Sequence, residues 1–268
     1  MRHYDIKPLS DQALLQAQGY IDRIAKPLGS MGRLEGLAAR LAAIQDTLRP
    51  ELSPREHFVF AADHGIAEED ISKSPKEVTR QVVYSMLRGG AGICFLCRQH
   101  DFRLHLVDVG VDHDFGDEPG LIHRKLRHGT RSYLREAAMT QEEATKALEI
   151  GERCVDEALE RGCRLLSFGE MGITNTSSSA LWMYYLTDLP LEACVGRGSG
   201  LDDEGMQRKL AVLRTAVERY PGTGDAWSVL CYFGGYELVA TVGAMLRAAE
   251  RRTPFLVDGF IMTVEGVV

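Results

Sequence analysis

The stretch Phe168-Gly169-Glu170-Met171-Gly172-Ile173-Thr174-Asn175-Thr176-Ser177-Ser178-Ser179 decides how this chain is read. It follows the apolar run Arg164-Leu165-Leu166-Ser167, which predicts a buried strand. It precedes Ala180-Leu181-Trp182-Met183, which predicts the start of a helix. A glycine- and hydroxyl-rich turn between a strand and a helix N-terminus aims backbone N–H groups at an anion and adds the positive end of the helix dipole. A carboxylate beside a phosphate is repelled, so Glu170 is expected to face a neutral, hydroxyl-bearing part of the ligand, as a sugar provides.

Outward from this turn, strands and helices alternate. His57-Phe58-Val59-Phe60-Ala61-Ala62, Arg103-Leu104-His105-Leu106-Val107, Arg164 to Phe168 and Pro254-Phe255-Leu256-Val257 read as short strands, with a weaker one over Leu191-Glu192-Ala193-Cys194-Val195. The segments between them are long enough for helical crossovers, so a mostly parallel α/β sheet follows. The strands end in Asp63-His64-Gly65, Asp108-Val109-Gly110, Gly169-Glu170, Gly196-Arg197-Gly198 and Asp258-Gly259. Ligands of open α/β sheets sit at the carboxyl ends of the strands, so this repetition points to one shared site. Before Pro54 the texture is helical: Leu9 to Ala25, a break at Lys26-Pro27-Leu28-Gly29-Ser30, then Leu34, Leu37, Ala38, Leu41 and Ile44 at helical spacing. Residues 1–50 are therefore expected to be helical, and residues 51–268 to form an α/β domain.

Composition narrows the function. The 268 residues carry a net charge of −7, against general nucleic-acid binding, which needs a basic surface. No apolar run approaches the ~20 residues of a bilayer span, and Met1-Arg2-His3-Tyr4-Asp5 does not read as a signal peptide. Six scattered cysteines do not make a disulfide framework, so a reduced, cytoplasmic setting is expected. Cys94-Phe95-Leu96-Cys97 has CxxC spacing, but it lies in an apolar helical pattern with no second metal-ligating pair. It reads as two core thiols, and no metal or cofactor is expected.

A second turn, Gly196-Arg197-Gly198-Ser199-Gly200-Leu201-Asp202-Asp203-Glu204-Gly205, suits either a phosphate or a plain helix entry with an acidic first turn. It matches neither the Walker A nor the dinucleotide fingerprint. Lys209, some two turns further on, either reaches back to a phosphate or stays on the surface. The polar segment Ile71 to Thr79, before a helix over Arg80 to Leu87, is a mobile loop or the wall of a substrate pocket. His64 suits acid–base work or a structural hydrogen bond equally.

Several blocks now stand in order along nearly the whole chain. They are Lys26-Pro27-Leu28-Gly29-Ser30-Met31-Gly32-Arg33-Leu34-Glu35, Ala62-Asp63-His64-Gly65, Ser74-Pro75-Lys76-Glu77-Val78-Thr79, and Val107-Asp108-Val109-Gly110-Val111-Asp112. Gly129-Thr130-Arg131, the Phe168 to Thr176 turn, Gly198 to Asp203, and Leu256-Val257-Asp258-Gly259-Phe260 follow. With them the chain resembles the nicotinate-nucleotide–dimethylbenzimidazole phosphoribosyltransferase family, which prepares the lower ligand of cobalamin.

The resemblance implies a Rossmann-like α/β nucleotide-binding domain over residues 51–268 with a small helical domain, to which residues 1–50 contribute, assembled as a homodimer. It implies transfer of ribose 5-phosphate from nicotinate mononucleotide to 5,6-dimethylbenzimidazole, giving α-ribazole 5′-phosphate and nicotinate, without a metal. Glu170 would contact the ribosyl or base part of the nucleotide. Gly172, Ile173, Thr174, Asn175 and Thr176, with Gly198, Ser199, Gly200 and Lys209, would hold its phosphate. Asp63, His64, Ser74, Gln81 and Met171 would form the base pocket. The family usually has glycine at the position of Thr174. Its general-base glutamate belongs to a Gly-Glu-Gly-type segment expected beyond Val268, and Glu265 stands too close to the Asp258 strand to be that residue. Two alternatives follow: a nucleotide- or base-binding protein without turnover, or a related transferase that uses adenine or a phenolic base.

Overall fold

A computed structural model describes residues 3–267. Two helices, α1 (Asp11–Asp22) and α2 (Arg33–Gln45), precede the sheet. Ser10 caps α1 by accepting from the Ala13 amide. The two helices pair through Ala17, Ile21, Ala39 and Ala42, while Leu15, Leu34 and Leu37 stay exposed. Arg252 ties the end of α2 to the rest of the molecule by donating to the carbonyls of Ala43 and Ile44.

The sheet contains β1 (Arg55–Ala62), β2 (Phe102–Gly110), β3 (Leu121–His123), β4 (Leu165–Met171) and β5 (Phe255–Leu256). Its order is β3-β2-β1-β4-β5, and every pairing is parallel. This is the α/β architecture expected from the alternating pattern, with one strand misjudged and one missed. Leu191–Cys194 is a short helix, not a strand. Its alternation is too brief to separate the two periods, and Pro190 sits at the N-cap. The three-residue β3 was missed because its run carries too little apolar sequence to announce itself.

One face of the sheet is covered by α5 (Gln141–Glu160) and α10 (Tyr236–Glu250). Phe58, Phe60, Val107, Leu166 and Phe168 meet Ala147, Leu148, Val155, Val239, Ala240 and Ala244 in the main core. Burying each large side chain there is worth roughly 1.5–3 kcal/mol. Thr140 and Glu143 form a reciprocal capping box that fixes the start of α5. At the crossing of α5 and α10, a Cβ on Gly151 would collide with the Ala240 carbonyl, and one on Gly243 with that of Leu148. Glycine is required at this contact because the two backbones touch.

The opposite face carries α3 (Val78–Leu87) and α4 (Gly92–Gln99), which pack Val83, Met86 and Cys94 on Val59, Ala61 and Leu106. Cys94 and Cys97 are buried on α4, and all six cysteines are buried and free. The remaining helices are α6 (Asn175–Leu186), α7 (Leu191–Cys194), α8 (Asp203–Arg219), α9 (Ala226–Phe233) and α11 (Gly259–Glu265). Among the described residues, no helix is long and apolar enough to cross a membrane.

Candidate functional site

A cleft of about 880 Å³ runs along the sheet face beside α3 and α4. Its floor is the alternate residues of two neighbouring strands, His57 and Val59 of β1 with Ser167, Gly169 and Met171 of β4. Val82 and Met86 of α3 form one wall, and Asp258 to Met262 at the start of α11 form the other. Glu170 and Thr176 close it at the carboxyl ends of the strands. On the floor His57 Nδ1 lies 2.9 Å from Ser167 Oγ. Burial, with the neighbouring His105, pushes the His57 pKa down to about 4, so it is a neutral imidazole.

The Phe168 turn is tighter than the sequence suggests. β4 runs through Glu170 to Met171, and α6 begins at Asn175, five residues before the predicted start. The Asn-Thr-Ser-Ser-Ser run reads as turn chemistry, yet Ser177, Ser178 and Ser179 are fully buried in the helix. Thr174 takes the left-handed φ of 77° at the N-cap, where a β-branched residue is strained. Gly172 is obligatory for another reason: a Cβ there would lie 2.7 Å from the Ala62 carbonyl oxygen and 2.8 Å from Glu237 Oε1. Two amides expected to face phosphate are already used. The Ile173 N–H donates to Thr79 Oγ1 at 3.2 Å, and that of Asn175 to the Gly172 carbonyl at 3.2 Å.

Lys209 brings the two glycine turns together. It comes from α8, is 1% exposed, and donates to Thr176 Oγ1 at 3.1 Å and to the Gly196 carbonyl at 3.0 Å. Burial pushes its pKa down to about 8. The surface alternative for this lysine is therefore excluded. Gly198 lies beside the pair, since a Cβ there would be 3.3 Å from Thr176 Oγ1 and 3.7 Å from Lys209 Nζ. Ser199 Oγ lies 3.5 Å from Ser72 Oγ of the rim loop. The Gly196–Gly200 turn joins α7 to α8, so it does not follow a strand end as expected. It reaches the site through Lys209 instead.

Beneath the turn lies a buried acid–imidazole cluster. Asn175 donates to Glu170 by a short hydrogen bond and to Glu237 Oε1 at 3.3 Å. His64 Nε2 sits 2.6 Å from Glu237 Oε1, and its Nδ1 3.4 Å from Ser178 Oγ. Burial opposes protonation of His64, but the charges of Glu237, Asp63 and Glu170 outweigh it and raise its pKa. Burial, reinforced by the Glu237 charge, pushes Glu170 up to about 7. Glu265 of α11 is 2% exposed, and among the described residues its carboxylate oxygens have no hydrogen-bond partner. Burial and then the charges of Glu170 and Glu237 raise its pKa well above the usual range. Sequence reasoning missed Glu237 and named Glu265 only to set it aside as the general base. The His64–Glu237 contact spans 173 residues, and no local pattern announces it.

The expected base-pocket residues separate. Met171 lines the cleft. Asp63 and His64 are 3% and 1% exposed and lie under the site, not on its wall. Ser74 is half-buried on the rim loop, and Gln81 is exposed on α3. Val82 and Met86 occupy the cleft-facing side of that helix, and Gln81 sits one residue, about 100°, off their row.

An all-parallel α/β domain with a buried lysine between two glycine turns defines a candidate binder of phosphorylated nucleotides. A family model described as phosphoribosyltransferase matches residues 6–268. Nicotinate-nucleotide–dimethylbenzimidazole phosphoribosyltransferase of Parabacteroides distasonis is 56% identical over 247 residues, covering 92% of this chain and 71% of the relative. The protein of the same name from Geobacter sulfurreducens is 44% identical over 264 residues, covering 98% and 75%. The crystal structure of CobT from Thermus thermophilus superposes with a TM-score of 0.90 at 40% identity, covering 96% of this chain and 77% of that one. The chain belongs to this phosphoribosyltransferase family.

Proposed function

We propose that the protein moves ribose 5-phosphate from nicotinate mononucleotide to 5,6-dimethylbenzimidazole, as the names of its relatives describe. The observation that carries this reading is the convergence of Lys209, Thr176 and Gly198 beside the turn that carries Glu170, at the open end of an apolar cleft. Lys209 and Thr176 hold the phosphate. Glu170 takes the ribosyl side, and the cleft between Met171, Val82 and Met86 takes the flat aromatic base. Ser74 and Gln81 act from the rim, with Asp63 and His64 supporting from below. Residues 1–50 serve as the small helical domain, and the protein works in the cytoplasm as a homodimer.

The chemistry is a displacement at the anomeric carbon. One benzimidazole nitrogen forms the new C–N bond. The bond to the pyridinium nitrogen breaks, and its electron pair leaves with nicotinate, neutralising that nitrogen without an acid. The N–H proton of the attacking base must then go to a carboxylate. Glu170, pushed up to about 7, is partly ionised near neutral pH and is the cleft carboxylate best matched to that proton.

Incubating the protein with both substrates and following α-ribazole 5′-phosphate tests the reading. Product formation supports it. Nucleotide binding with no product would favour a binding protein, and preferential use of adenine or a phenol in competition would favour a related transferase.

A further inference from the structure

We propose that Thr79 is a positioning residue that couples the nucleotide turn to the rim of the base pocket, so that filling the first site tightens the second. The inference rests on the assignment of the two sites just made. Thr79 is fully buried in the first turn of α3, and its own amide is satisfied by the Lys76 carbonyl at 3.0 Å. Its hydroxyl is therefore available for tertiary contacts. Oγ1 accepts the Ile173 N–H at 3.2 Å, joining α3 to a turn 94 residues away.

Through its own amide Thr79 is also tied directly to Lys76 of the rim loop. Asp63 Oδ2 accepts the Asp112 N–H at 2.8 Å, and Asp112 pairs with Lys76 at 2.5 Å. The chain of contacts thus runs from Ile173 through Thr79 to Lys76 in the loop that carries Ser74, and Asp112, itself held by Asp63, braces Lys76 from the other side. Towards the other end of that loop, Ser72 Oγ lies 3.5 Å from Ser199 Oγ in the second glycine turn.

Two features make this linkage responsive to ligand. Ile173 precedes Thr174, whose left-handed φ of 77° is costly and persists only where neighbours over-determine it. The Thr79–Ile173 bond is one of those constraints. Thr79 is also held at both ends, its hydroxyl by the Ile173 N–H and its amide by the Lys76 carbonyl, so a shift of the nucleotide turn is passed to the rim loop. Valine has the same shape but cannot accept the Ile173 N–H.

The test measures 5,6-dimethylbenzimidazole affinity with and without saturating ribose 5-phosphate, which fills the phosphate and ribose positions but carries no leaving group. The wild-type protein is expected to bind the base at least about fivefold more tightly when ribose 5-phosphate is present, within the usual range of coupling between sites. Thr79→Val should reduce that ratio to within twofold of unity, and Thr79→Ser should restore it. Should the valine variant fail to fold, Thr79→Ala reads the same ratio. A purely structural role predicts weaker binding with the ratio intact, and that result overturns the inference. So does a wild-type ratio of one. Failure of either ligand to bind the wild-type protein, with no transfer detected, would sink the proposed function and this inference with it.

Discussion

Lys209 meets two opposed demands. A buried ammonium is costly, yet a phosphate dianion needs one to receive it. With its pKa near 8, the folded protein holds fewer protons on this residue than the unfolded chain between about pH 8 and 10.5. Stability from Lys209 therefore rises with pH across that window, and Lys209→Met should remove the rise in urea midpoints measured there. A bound phosphate restores the charge, so nucleotide binding above pH 8 should take up a proton. Calorimetry in two buffers of different ionisation enthalpy would show equal heats if it does not. Lys209→Ala should raise KM for the mononucleotide and spare the choice of base. Equal damage with the dephosphorylated nucleoside would contradict the phosphate assignment.

Glu170 runs the other way. Its pKa is raised to about 7, so the folded state binds the extra proton between about pH 4.5 and 7. Its contribution to stability is present below that window and lost as pH rises through it. Glu170→Gln should flatten this loss while lowering kcat/KM by about 10²–10⁴-fold, the range for a positioned proton acceptor. Unchanged kinetics would reduce Glu170 to a turn residue. Thr174→Gly should leave nucleotide affinity intact and raise the melting temperature slightly, because relief of the positive φ outweighs the added chain entropy. A lower melting temperature would mean that the short Thr174 Oγ1 hydrogen bond to the Ile173 carbonyl matters more than the strain.

At the scale of elements, α5 and α10 are held at backbone contact by Gly151 and Gly243. Gly151→Ala should cost at least about 1–3 kcal/mol by overpacking, read as a lower midpoint in denaturant with an unchanged slope. A neutral effect would mean that the crossing can open without loss. The sequence made most of this layer legible where period and punctuation agreed: β1, β2 and β4 are apolar runs ending in Asp or Gly, and α5 opens on Thr140 and Glu143. It misled where they disagreed. Leu191 to Val195 alternates like a strand but is too short to decide, and Asn175 to Ser179 looks like a turn because those side chains usually compete with a helix. Here they are buried inside the fold, a placement that no local pattern records. The strand-end turn singled out Glu170, and its place two turns past the second glycine turn singled out Lys209. Glu237 stayed hidden and Glu265 was set aside because their meaning comes from what packs against them, not from their neighbours in sequence.

At the scale of the whole molecule, the site is assembled from parts far apart in the chain: Asp63 and Thr79, Glu170 and Thr176, Lys209, Glu237 and Glu265. It exists only once all the parallel crossovers have closed, so anything bound there stabilises the whole fold and not one local piece. The six buried thiols offer a clock for the reverse process. Cys97 belongs to the cleft wall, whereas Cys154 lies in the main core on α5 with its pKa pushed up to about 12 by burial. A thiol held protonated and out of reach cannot react until its surroundings open, so its labelling rate reports how often they do. Under native conditions a maleimide should modify Cys97 well before Cys154, and saturating nicotinate mononucleotide should slow Cys154 more than Cys97. Equal rates would mean that the cleft wall and the core breathe as one body, and the distribution of cysteines along this chain would then measure only its global unfolding.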